Sequence, residues 1–210
     1  MAKELTYKIN EIPLSRFGIE VSNADGVLDY LAIKEPDIID YPGEHGHDAD
    51  LSARRYEART ITLSCGLAAP SALDMERQIS AFHKLLGLGL VRLEIDVYRQ
   101  SVMVFDVYVD RGFKIKKRWR EGKNIATFQL ILIEPQPIKR VYSTRARTAA
   151  FEFESEKNIS ISWGDGTVEK YLSQGKEHVY TDDIDKHYII ISGDIENLEI
   201  TTNHQLECSV

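Results

Sequence analysis

Tyr41–Cys65 reads YPGEHGHDADLSARRYEARTITLSC, and its two parts follow different rules. Pro42-Gly43 is a turn signal, and Gly46 punctuates the polar loop that follows it. From Thr60 the positions alternate, with Ile61, Leu63 and Cys65 apolar and Thr60, Thr62 and Ser64 hydroxylic. A period of two is the signature of a half-buried strand. A polar loop feeding a strong strand is also where binding groups collect, because a rigid scaffold holds them.

Working outward, most of the chain carries the same period. Before the loop, short apolar clusters at Leu5 and Tyr7, Ile12 and Leu14, Phe17 to Val21, and Val27 to Ile33 predict two or three short strands, with Ala24-Asp25-Gly26 as a tight turn. After Cys65 the period changes. Ser71 is placed to cap a helix with Asp74 three residues on, and Leu73, Met75, Ile79, Phe82 and Leu86 recur at helical spacing up to Gly87. One amphipathic helix over about 71–86 is predicted, covering one face of a sheet.

Val91–Val97 and Val102–Val109 then alternate as a hairpin joined at Tyr98–Ser101, with Arg92, Glu94 and Asp96 on the outer side. Ile125–Ile133 is apolar at nearly every position and predicts a central or doubly covered strand. It stops at Glu134-Pro135-Gln136-Pro137, where proline removes a ladder donor. Residues 138–147 read as a linker. Beyond it, Phe151 and Phe153, Ile159 to Trp163, Val179-Tyr180, Tyr188 to Ile191, and Ile195 to Ile200 predict five or six short strands. The fold class expected is mainly β, with a sandwich-like first domain over 1–137 and a small β-sandwich over 148–210.

Charge supports that division. Residues 148–210 hold 13 Asp/Glu against 4 Lys/Arg, a balance of −9, and the first 147 residues sum to +2. Neither part is basic enough to bind nucleic acid by charge alone. No apolar run approaches the roughly 20 residues that cross a bilayer, so no membrane is expected. MAKELTYKINEIPL has no continuous apolar core, so no secretory signal is read there. Two cysteines, Cys65 and Cys208, make neither a disulfide framework nor a metal spacing.

Three stretches could carry chemistry. Glu44, His45, His47 and Asp48 gather carboxylate and imidazole groups that suit zinc or iron. The two histidines have no recognised zinc spacing, and a solvated loop needs such residues anyway, so no metal or cofactor is expected. Lys114, Lys116, Lys117, Arg118 and Trp119 mix cations with an aromatic ring, as single-stranded nucleic-acid sites do. An exposed arm whose lysines discourage edge pairing is the preferred reading, with no specific nucleic acid bound. Trp163-Gly164-Asp165-Gly166-Thr167 lacks the regular oxygen ligands of a calcium loop, and Asp165-Gly166 is a hairpin-turn pair. No phosphate loop, dinucleotide fingerprint or nucleophile elbow occurs, so an enzyme is not expected.

The Pro-Gly loop, Tyr56 and the Arg59-x-Ile61-Thr62-Leu63 strand resemble the N-terminal domain of phage distal tail proteins. The order of one helix, a strand pair and a closing strand ending in Ile133-Glu134-Pro135 is similar too, over about residues 1–140. One departure is Glu44-His45-Gly46, where Arg-Asp-Gly is common. Trp163, Asp165 and Gly166, with His178 and Tyr180 and the Tyr188–Ile191 strand, resemble a PKD-like, immunoglobulin-type β-sandwich. The resemblance implies a virion structural protein of a phage or prophage, made in the bacterial cytoplasm and assembled into the tail. Its expected partners are copies of itself in a ring, most often a hexamer, the tail tube protein and a tail tip or baseplate hub protein. Tyr41, Glu44, His45, His47, Asp48 and the Lys114–Trp119 group are the expected assembly contacts. The alternative is a non-catalytic spacer or surface-binding module, with protein or host surface glycan as partner of the PKD-like part.

Overall fold

The computed structural model describes residues 5–52, 54–120 and 123–209, with the side chains of 118–123 outside the described set. Among the described residues the chain is mainly β, with one α-helix and a short 3-10 turn at Leu14–Phe17. In the first part the strands are β1 (Leu5–Ile9), β2 (Ile12–Pro13), β3 (Ile19–Asp25), β4 (Ile38–Ile39), β5 (Asp48–Ala49), β6 (Arg59–Ala69), β7 (Val91–Val97), β8 (Ser101–Val109), β9 (Lys116–Arg120) and β10 (Lys123–Glu134). In the second part they are β11 (Lys139–Thr144), β12 (Thr148–Ser162), β13 (Val168–Val179), β14 (His187–Gly193) and β15 (Gln205–Ser209).

The alternation at Thr60–Cys65 is realised along β6, where Ile61, Leu63, Cys65 and Leu67 are all buried. β6 sits in an eight-stranded sheet of order β2-β1-β7-β8-β10-β6-β3, with β9 also on β10. The sheet turns over at β8: Ser101–Val107 pair with β7, while Tyr108 and Val109 pair with β10. The two layers therefore face each other over a shared core of Ile61, Leu63, Leu93, Ile95, Phe105, Leu130 and their neighbours. β10 is central, as its composition predicts, but only one of its faces is fully covered. Ala126, Phe128, Leu130 and Leu132 are buried, whereas Ile125 is 43% exposed.

Helix α1 (Ala72–Leu86) starts where Ser71 Oγ accepts from the Asp74 amide at 3.1 Å. It lays Met75, Phe82 and Leu86 against the core. Phe82 meets Phe17, Phe113 and Phe128 at centroid distances of 5.7, 6.3 and 6.1 Å, and each such pair adds about 0.5–1.5 kcal/mol beyond area burial. Gly87 caps the helix in right-handed geometry, and the left-handed step comes two residues later at Gly89.

The second part departs from the sequence reading in three places. Residues 138–147, expected as a linker, contain β11, which lies between β14 and β15. Its polar residues hide the pattern, because Lys139, Ser143 and Thr144 are buried along with Val141 and Tyr142. Phe151, Phe153, Ile159 and Ile161 belong to one 15-residue strand, β12, that bends through register shifts on β13. Gly175 lets β13 approach that bend, since a Cβ there would lie 2.1 Å from the Phe151 carbonyl oxygen. Ile195–Ile200 is not a strand, although Ile195 and Leu198 fill the core, and the last strand is β15. All five strands share one sheet of order β13-β12-β14-β11-β15, closed over Phe151, Ile159, Trp163 and Ile191.

The two parts pack sheet on sheet. Val102 and Val104 of β8 meet Val141, Tyr188 and Ile190 of β11 and β14. This contact explains a further correction: Arg92 and Glu94, expected on an outer face, are 7% and 5% exposed. Among the described residues no helix is long and apolar enough to cross a membrane.

Candidate assembly surfaces

Between β3 and β6 the chain leaves the sheet as a ribbon. Glu57 N donates to Ala32 O at 2.8 Å, Lys34 N to Arg55 O at 2.9 Å and Asp50 N to Asp37 O at 3.0 Å. The β4–β5 pair, with Ile38 opposite Ala49 and Ile39 opposite Asp48, carries the ladder to its tip. The Val27–Ile33 cluster, expected as a strand, forms the approach to this ribbon and has only a bridge between Ile33 and Tyr56. Tyr41, Glu44, His45, His47 and Asp48 all lie at the tip and are exposed. Ile38 and Ile39 are each 55% exposed there. Among the described residues no three His, Cys, Asp or Glu side chains converge to hold a metal.

The second predicted contact lies elsewhere. β9 runs along β10 with Lys116 opposite Thr127, toward the Ala69 end of β6. The ribbon springs from the other end, at Arg59 opposite Glu134. Ten residue steps of the β6–β10 ladder separate those ends, on the order of 33 Å at about 3.3 Å per residue. Lys114, Lys116 and Lys117 are exposed, while the side chains of Arg118 and Trp119 lie outside the described residues. Beside β9 is a trough of about 800 Å³ on the open face of the sheet. Ser22, Ser64, Thr127 and Gln129 floor it, and Arg111, Lys114 and Lys116 wall it. Beneath that floor, burial pushes the Cys65 thiol up to about 12, so it stays protonated and inert.

The PKD-like residues do come together. Trp163 stacks on His178 at 4.9 Å and 15°, His178 Nε2 meets Asp165 Oδ2 at 2.7 Å, and Tyr180 Oη donates to the Trp163 carbonyl at 2.8 Å. Asp165 also accepts from the Thr167 amide at 2.9 Å, which shapes the Asp165-Gly166 turn. Burial alone would raise Asp165, but the Thr167 and His178 hydrogen bonds hold its carboxyl below the usual range. Tyr180 stacks in turn on buried His187 at 3.7 Å, and His187 Nε2 lies 3.0 Å from Asp182 Oδ1. With Trp163 at 0% exposure, its indole packs inside the sheet and the cluster fixes the turn.

That turn meets the first part through residues the sequence reading passed over. Arg92 pairs with Asp106 at 2.9 Å, donates to Ser162 Oγ at 2.7 Å and also to the Tyr188 carbonyl. Burial opposes ionisation of Asp106, but Arg92 and Ser162 hold its carboxyl below the usual range. Gly164, at φ +103°, leaves room for this contact, because a Cβ there would stand 2.9 Å from Arg92 Nη1 and 2.7 Å from Tyr188 O. A second lock flanks the prolines. Glu134 accepts from Arg59 Nε at 3.0 Å and from Lys139 Nζ, and Lys139 also donates to Val104 O at 2.6 Å and lies 4.0 Å from the Phe105 ring centre. Burial pulls the Lys139 ammonium below its ordinary value, and Glu134 opposes that pull. The available signal was a charge set against apolar neighbours, Arg92 between Val91 and Leu93 as the one cation of VRLEIDV, and Glu134 at the end of the apolar run ILI.

No family profile matches the chain, and no curated protein matches it. Among solved structures, the crystal structure of the SPP1 Dit protein (gp 19.1), described as a paradigm of the hub adsorption apparatus in phages infecting Gram-positive bacteria, is similar to this chain. The two align with a TM-score of 0.48 and 12% identity, over 94% of this chain and 99% of that one.

Proposed function

We propose that the chain is a non-catalytic structural component of a phage or prophage tail. In this reading it forms a ring, a hexamer, at the distal end of the tail tube and links the tube to the baseplate or tip. The first part makes the ring and the second projects from it. Tyr41, Glu44, His45, His47, Asp48, Lys114 and Lys116 contribute contacts between subunits or to the tube and hub proteins. The observation that carries the reading is the placement of two exposed, charged segments at opposite ends of one rigid ladder. A ring is built from heterologous contacts, which need two different surfaces facing away from each other. The loop and strand motifs at Tyr41–Leu63 add the resemblance to distal tail proteins. The test is light scattering after size exclusion, on the chain alone and with its tail tube protein. A discrete multimer is expected, and a monomer at high concentration in both samples would overturn the reading.

A further inference from the structure

We propose that His187 is an acid-operated latch: its protonation frees the Ser162–Gly166 turn and the start of β14 from Arg92, and the second part then loosens from the first. His187 is 3% exposed and lies flat on Tyr180, with ring centres 3.7 Å apart and planes 5° from parallel. Its Nε2 lies 3.0 Å from Asp182 Oδ1. Its Nδ1 is buried and, among the described residues, meets no hydrogen-bond partner. The neutral ring therefore donates once, to Asp182, and keeps only a bare lone pair in the core. A second proton on Nδ1 makes a charged donor with no acceptor, the kind of group that burial tolerates least.

The groups packed around His187 are the ones that hold the junction. Tyr180 extends the stack through its hydroxyl, which donates to the Trp163 carbonyl at 2.8 Å. Ser162, next to Trp163, and Tyr188, next to His187, are the residues of the second part that Arg92 grips. The titratable groups facing His187 are Asp182 from the loop after β13, Asp165 from the turn and His178 from β13. The two carboxylates favour the charged ring and His178 opposes it, but burial outweighs both carboxylates. Glu11 of the first part faces Asp182 across a cleft of about 440 Å³, so the loop at 182–184 has open space beside it. A ring held below its ordinary 6.5 while latched recovers that value when the stack opens, so opening takes up a proton. The latch is therefore closed above pH 6.5 and driven open below it, by up to about tenfold per pH unit. The Glu134–Lys139–Arg59 lock contains no imidazole and keeps the parts joined where the chain crosses between them.

Hydrogen exchange of the full chain, read by mass spectrometry and corrected for the intrinsic pH dependence of amide exchange, tests the latch. Between about pH 7.5 and about pH 5.5 the amides of residues 160–167 and 187–192 are expected to lose about three- to tenfold in protection, while those of β6 and β10 keep theirs. The loss disappears in His187→Phe and remains in His178→Phe. Titration of the imidazole signals by NMR gives a readout on the unaltered chain, whether or not either variant folds. There, His187 must take up its proton over the range in which protection falls. Constant protection in the unaltered chain overturns the proposal, as does a loss shared equally by β6 and β10. A loss that survives His187→Phe, or that follows His178 or His204 instead, overturns it too.

Discussion

Replacing Glu134 by Gln is expected to loosen the junction between the two sheets more than any surface change. Glu134, Lys139 and Arg59 are 2%, 3% and 7% exposed, so none of the three charges is relieved by water. The carboxylate takes one cation on each oxygen, Arg59 on Oε2 and Lys139 on Oε1. Glutamine keeps the shape but withdraws the charge and one acceptor. Arg59 retains the carbonyl oxygens of Gly26 and Val27, and Lys139 retains Val104 O and the Phe105 ring. These residual partners hold the cations in place but do not neutralise them. Breaking a buried pair by removing one partner costs about 3–5 kcal/mol. At about 2–4 °C per kcal/mol for a chain of this size, the melting temperature falls by about 6–20 °C. Differential scanning calorimetry at neutral pH reads this directly. A Glu134→Gln protein melting within about 2 °C of the wild type would refute the assignment of this cluster as the clamp. Replacing Glu134 and Lys139 together by Met and Leu should recover part of the loss, because no unpaired partner of that ion pair is then left buried.

Two further outcomes follow from the same region. Gly164→Ala, with a Cβ 2.7 Å from Tyr188 O at φ +103°, should cost about 1–3 kcal/mol in strain and additionally displace Arg92. Gly166→Ala, at φ +92° with nothing within 4 Å, should cost less, and equal melting temperatures would count against the close approach. Burial holds the His187 imidazole below its ordinary 6.5 despite Asp182, so the unfolded chain takes up the proton first. Stability should therefore decline as pH drops below about 6.5. His187→Phe, which keeps a ring on Tyr180, should flatten that decline between pH 7 and 5 in denaturant titrations, and an unaltered slope would sink the assignment.

The elements that were legible in the sequence are those whose burial is decided by one neighbour. β6 alternates because one of its faces meets the first core, and α1 shows its cap and stripe because it lies on a single surface. Legibility fails where both faces are covered. β11 is buried toward the second core through Tyr142 and toward the first part through Val141, so no polar side remains to mark it as a strand. Its Lys139 looks like a linker residue because the sequence does not announce the distant Glu134–Arg59 pair that satisfies it. Of β13 only the end at Val179 is expected, for the opposite reason. It is an edge strand, largely exposed over 12 residues, and has almost no apolar pattern to read. Among the candidate site residues, the exposed tip of Tyr41–Asp48 was foreseeable from turn chemistry, whereas Trp163, Asp165, His178 and Tyr180 were grouped only through the resemblance to a PKD-like sandwich. The trough was not foreseeable, since it forms only when β3, β6 and β10 are laid side by side.

The position of β11 changes where this protein can be cut. A fragment beginning at residue 148 would omit the strand between β14 and β15, leaving a gap in the middle of its sheet. A fragment ending at 137 would strip the cover from Val102, Val104 and Arg92. Neither half is therefore a free-standing bead on a string. Force applied to the second part reaches the first through Arg92, Lys139 and a sheet-to-sheet contact, so the molecule acts as a stiff bracket that passes load on to the β6–β10 ladder.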